Sequence, residues 1–77
     1  MKREELKQIL INNGVPKVAF SLYGIKNYES LCLLEKEDGS WEIVYNDRGE
    51  IRKIATFYDE DYACQYIYNT FKESYGF

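Results

Sequence analysis

Between Glu35 and Glu50 the chain gathers six carboxylates, Glu35, Glu37, Asp38, Glu42, Asp47 and Glu50, against only Lys36 and Arg48. Two acids facing each other across a hairpin, such as Glu35 with Glu42 or Glu37, would meet the first need of glycoside hydrolysis. That chemistry also demands a deep pocket around the pair, and acids beside an exposed turn need no catalytic explanation. The other routes to catalysis are poorly supplied. There is no histidine, so the commonest general base and the commonest metal ligand are missing together. The two cysteines, Cys32 and Cys64, have no His to activate them and fall two ligands short of a zinc set. Gly14, Gly24, Gly39, Gly49 and Gly76 stand singly, so no phosphate-cradling loop is present. The residues point to a binder, with no catalytic residue, cofactor or metal expected.

Charge narrows the partner. The net charge is −3 and the pI about 4.9, whereas nucleic-acid binding needs a cationic footprint to displace counterions from phosphates. An acidic central hairpin instead steers a basic protein towards itself. Eight Tyr, four Phe and one Trp exceed what a small core needs, and Tyr is enriched at recognition surfaces. Met1 is followed at once by Lys2-Arg3-Glu4-Glu5, without the apolar stretch of a signal peptide. A cytoplasmic setting with two free, buried thiols is therefore expected. No apolar run reaches transmembrane length.

Seventy-seven residues make one domain, 1–77, and local patterns divide it into six elements. Leu6, Ile9, Leu10 and Asn13 recur at helical spacing, with Asn13-Gly14 as the stop and Pro16 beyond, predicting a helix over Lys2 to Asn13. Lys17 to Tyr23 reads as extended, and Tyr28 to Lys36 as a central strand apolar on both faces around Leu31-Cys32-Leu33-Leu34. Asp38-Gly39 supplies the left-handed backbone of a hairpin turn. Trp41, Ile43 and Tyr45 then alternate with Glu42, Val44 and Asn46 as a half-buried strand. After Asp47-Arg48-Gly49, the residues Glu50 to Phe57 form a last strand, with a bulge near Arg52-Lys53 because its apolar positions miss a period of two. Asp59 caps a final helix whose buried face carries Ala63, Ile67, Thr70 and Phe71. The predicted fold is α+β in the order α-β-β-β-β-α. Short connections imply a four-stranded antiparallel meander with both helices on one face and the other face exposed. An RNA-recognition domain fits neither this order nor the acidic charge.

The pieces Gly14-Val15-Pro16, Phe20-Ser21-Leu22-Tyr23-Gly24, Glu29, Leu31 through Lys36, Trp41-Glu42-Ile43-Val44-Tyr45, Asp47-Arg48-Gly49, Phe57, Glu60 and Ala63-Cys64 together resemble the small immunity proteins that bacteria pair with secreted polymorphic or contact-dependent toxins. The likeness runs from about residue 6 to 72. Asp47 stands where such proteins usually carry Glu, and Asp59 where they carry Ser or Thr; both changes keep the local charge or capping role. The resemblance implies a non-catalytic inhibitor, monomeric or weakly dimeric, that occludes a cognate toxin domain. Many such toxins are nucleases with cationic clefts. The expected partner-binding residues are Glu35, Glu37, Asp38, Glu42 and Asp47 as anchors, with Tyr45 as an aromatic contact. Trp41 is expected in the core, and Arg48 as a turn residue bridging Asp47 or Glu50 or bonding strand-end carbonyls. The competing expectation is a self-associating adaptor that uses an open sheet face and the Tyr-rich helix.

Overall fold

Leu6 and Leu10 lie one helical turn apart, and burying both is what seats helix α1 (Arg3–Asn12) in the computed structural model, which describes Met1–Phe77. Ile11 also packs on the core, whereas Ile9 of the predicted stripe is left half-buried outside it. The helix ends in a double C-terminal cap. Gly14 takes a φ of +83°, its N–H bonds the Ile11 carbonyl at 3.1 Å, and Val15 N–H bonds that of Leu10 at 3.0 Å. Val15 and Leu10 are both buried, completing the apolar contact that accompanies this motif.

A single 3₁₀ turn (Lys17–Ala19) follows, then β1 (Phe20–Ser21), β2 (Ser30–Glu35), β3 (Trp41–Asp47), β4 (Glu50–Phe57) and α2 (Glu60–Tyr75). Asp59 caps α2 as expected, its Oδ1 accepting from Asp61 N–H at 2.7 Å. The class is α+β with two helices and a four-stranded sheet in the order β1-β2-β3-β4.

The fully antiparallel meander is corrected at its first strand. β1 is only two residues long and pairs parallel to β2, Phe20 opposite Leu31 and Ser21 opposite Cys32. Parallel neighbours ordinarily need a long crossover because the chain must return along the strand's whole length. A two-residue strand shrinks that distance to about 7 Å, and the Leu22–Glu29 connection covers it. Gly24, at φ +108°, carries its N–H to the Leu33 carbonyl at 3.1 Å before the chain doubles back.

β3 pairs antiparallel with both neighbours. Its register with β4 slips where Ile43 faces Ala55 but Val44 faces Lys53. The predicted bulge therefore falls at Ile54, one residue beyond the expected position.

Leu31, Leu33, Trp41 and Ile43 project from one face of the sheet onto Leu6, Leu10, Ala63, Cys64, Ile67 and Phe71, so both helices share one core. Trp41 belongs to it as expected, and Cys64 replaces Thr70 on the buried side of α2. The opposite face is less open than predicted. Alternation puts Ser30, Cys32, Val44 and Asn46 there, and all four are buried. The returning loop closes over Ser30 and Asn46: the Asn27 carbonyl accepts from Ser30 Oγ at 2.6 Å and from Asn46 Nδ2 at 2.8 Å. No helix is long and apolar enough to cross a membrane.

Candidate functional site

The acidic turn is rigid because its own residues close it. Lys36 N–H donates to the Ser40 carbonyl at 2.9 Å and Gly39 N–H to the Lys36 carbonyl at 3.1 Å, with Gly39 at φ +88°. That is a tight turn followed by a left-handed glycine, one of the common longer hairpin connections. Asp38 Oδ1 accepts from both the Ser40 hydroxyl (2.6 Å) and the Ser40 N–H (2.9 Å). These bonds hold the Asp38 carboxyl below the usual carboxylate range, the hydroxyl contributing most. Asp38 is thus committed to the turn, while Glu37 beside it is exposed and has no ion-pair partner.

The other candidate anchors are already paired. Glu35 lies 3.4 Å from Arg3, and Glu42 lies 3.8 Å from Lys36 and 3.4 Å from Lys53 across the rear face. Asp47 sits 2.9 Å from Arg52. The six predicted residues do not form one patch. Trp41 begins β3 at the acidic turn and Asp47 ends it, about 20 Å away at the rise of a strand. Glu35, Glu37, Asp38 and Glu42 therefore gather at one end of the sheet, and Tyr45 and Asp47 at the other. Tyr45 turns to the helix side, half-buried against the core.

Arg3 was not anticipated, yet it ties four parts of the chain together. Its guanidinium lies over the rings of Tyr23 (4.3 Å) and Trp41 (4.9 Å), and its Nε is 3.5 Å from Glu60. Glu60 also accepts the Arg3 backbone N–H at 3.0 Å, joining the starts of α1 and α2. A cation in the first turn of a helix opposes the dipole. Its position was thus the available signal that Arg3 must find compensation elsewhere.

Arg48 pairs with neither Asp47 nor Glu50, because Arg52 takes both, at 2.9 and 3.5 Å. It lies instead 3.5 Å from Glu29 across the sheet end. Arg48 and Glu29 are the two non-glycine residues with positive φ, at +54° and +55°. With Gly49 at +96°, Arg48-Gly49 forms the two-residue turn whose twist matches a hairpin. Asn46 braces it, accepting Gly49 N–H on Oδ1 at 2.8 Å.

Two further surfaces emerge. A groove of about 280 Å³ opens between the end of the sheet and the last turns of α2, with Leu31, Phe71, Tyr45, Tyr75 and Glu29 in its lining. Along the β4 side, Tyr58, Tyr62 and Tyr66 recur every fourth residue and are 83%, 68% and 37% exposed. Phe57 packs against Tyr66 with ring centroids 5.7 Å apart and ring planes tilted by 50°. Both cysteines are free and buried, and burial pushes the Cys64 thiol up to about 11, which disfavours its nucleophilic form. No family model, curated protein or solved structure matches this chain.

Proposed function

We propose that this chain is a non-catalytic inhibitor, an immunity protein that binds a basic surface of a cognate secreted toxin domain in the cytoplasm and occludes it. The support is the acidic hairpin. Its turn is locked by Asp38 and Ser40, so Glu37 is presented at little ordering cost, and a rigid like-charged feature steers an oppositely charged partner. A nuclease domain fits this charge, since its substrate-binding cleft must itself be cationic.

Affinity capture of the tagged chain from its host, with the co-purifying protein identified and assayed, tests the reading. A stoichiometric toxic domain silenced by this chain is the expected result. Glu37→Lys should then slow association several-fold at low salt and much less at high salt, while leaving the fold intact. Asp38 is unsuitable for the same test because its replacement would open the turn.

One observation favours a second reading. The tyrosine stripe flanks β4, an edge strand, and an edge with adjacent aromatic surface is equipped for association. In an adaptor that dimerises there, sedimentation would show mass rising with concentration, and Tyr62→Glu would abolish the rise. A constant monomer mass removes this alternative.

A further inference from the structure

The groove at the Tyr45 end lies far from the acidic turn, and its composition selects a different feature of a partner. Leu31 and Phe71 give it an apolar lining, Tyr45 and Tyr75 bring aromatic rings, and Glu29 contributes a carboxylate. The C-terminal end of α2, at Tyr75, lies at the same place and carries the negative end of the helix dipole. Carboxylate, aromatic rings and dipole all favour a cation, and the apolar lining favours one carried on a hydrocarbon stem. The neighbouring cations are engaged elsewhere: Arg52 with Asp47 and Glu50, and Lys72 over the Tyr68 ring at 5.7 Å. Only Arg48 meets Glu29, at 3.5 Å, through a pair that is mostly exposed on both sides and hence readily exchanged. The groove's volume of about 280 Å³ leaves room for one long side chain.

We propose that this groove receives an arginine side chain from the protein partner, its guanidinium replacing Arg48 on Glu29 and its stem lying along Leu31 and Phe71. Arginine is preferred to lysine because a planar fork meets a carboxylate and aromatic faces together. The proposal rests on the reading that the partner is a basic protein. It adds a second point of attachment at the opposite end of the sheet from Glu37.

The test is a titration of the ¹⁵N-labelled chain with acetyl-arginine-amide, using acetyl-citrulline-amide and acetyl-lysine-amide as comparisons. Saturable shifts are expected at Glu29, Leu31, Tyr45 and Tyr75, strongest for arginine and absent for citrulline. Glu29→Gln and Tyr75→Leu should each weaken binding by about three- to five-fold, while Tyr75→Phe keeps it, since a ring face suffices for a cation–π contact. Arg48→Asn should tighten binding by removing the internal competitor. Equal shifts with citrulline, or no saturation, overturn the proposal. Arginine-dependent shifts confined to Glu37 and Asp38 overturn the groove but leave the acidic-turn inhibitor standing.

Discussion

Arg48 shows how a single residue can be poor for stability where it stands. The first position of a tight hairpin turn requires positive φ, which Asn and Gly adopt readily and an arginine does only at a cost of about 1 kcal/mol. Its ion pair with Glu29 is exposed on both sides and offsets little of that. Arg48→Asn is therefore expected to stabilise the fold by about 0.5–1 kcal/mol, read as a shifted urea midpoint at unchanged m-value. A loss of stability would mean that the pair with Glu29 outweighs the backbone strain. The position of this turn was legible in Asp47-Arg48-Gly49, but the partner of Arg48 was not. Glu29 is remote in sequence and reaches Arg48 only because the Leu22–Glu29 connection returns beneath the hairpin. Arg3 was hidden for the same reason: its contacts with Tyr23, Trp41, Glu35 and Glu60 all span long separations.

At the level of elements, features with local causes were readable. The Gly14 stop, the Asp59 cap, the Asp38-Gly39 turn and the alternation in β3 all follow from neighbours within a few residues. The sense of β1 did not, because pairing direction depends on where a connection goes, and Phe20-Ser21 looks the same in either orientation. The candidate site was misread on the same account. Six residues close in sequence read as one surface, although a strand carries its two ends to opposite edges of the molecule. Asn46 is where the returning loop and the last hairpin are joined. It is 3% exposed, donates to the Asn27 carbonyl and accepts from Gly49 N–H. Asn46→Ala would leave the Gly49 N–H without its partner and the Asn27 carbonyl with Ser30 Oγ alone. A loss of about 1–2 kcal/mol in chemical denaturation is expected. Hydrogen exchange should quicken first in Gly24–Glu29 and at Gly49, ahead of the helices. Uniform loss of protection across the chain would instead make Asn46 a part of the global core.

Across the whole molecule, the ionisable groups perturbed by folding bound a pH range of greatest stability. Asp38 has its folded pKa lowered from 3.8 by the Ser40 hydroxyl and N–H. Its contribution is therefore complete above the unfolded value and disappears as pH falls through the folded one. The Met1 ammonium is shifted the other way, raised from 8.0 chiefly by its bond to Asp61. That contribution is complete below about pH 8 and is lost as pH climbs through the higher folded value. Tyr23 follows the same sense at more alkaline pH, raised from 10.0 by its bond to Glu4, and so does the buried Cys64 thiol, pushed up from 9.0 to about 11. The stability profile should thus be flat between about pH 5 and 8 and decline on both sides. Each limb has its own substitution. Ser40→Ala removes the hydroxyl that does most to lower the Asp38 pKa and should make the acid decline shallower. Asp61→Asn removes the partner of Met1 and should flatten the first part of the alkaline decline, leaving the fall at higher pH, from Cys64 and Tyr23, in place. Asp38 and Tyr23 are exposed and the Met1 ammonium is held by exposed Asp61, so raising the salt concentration should shrink their parts of the two limbs, whereas the part from buried Cys64 should persist. If Asp61→Asn leaves the alkaline limb unchanged, the amino terminus does not hold α2 in solution, and the link between the two helix starts rests on Glu60 with Arg3 and Lys2.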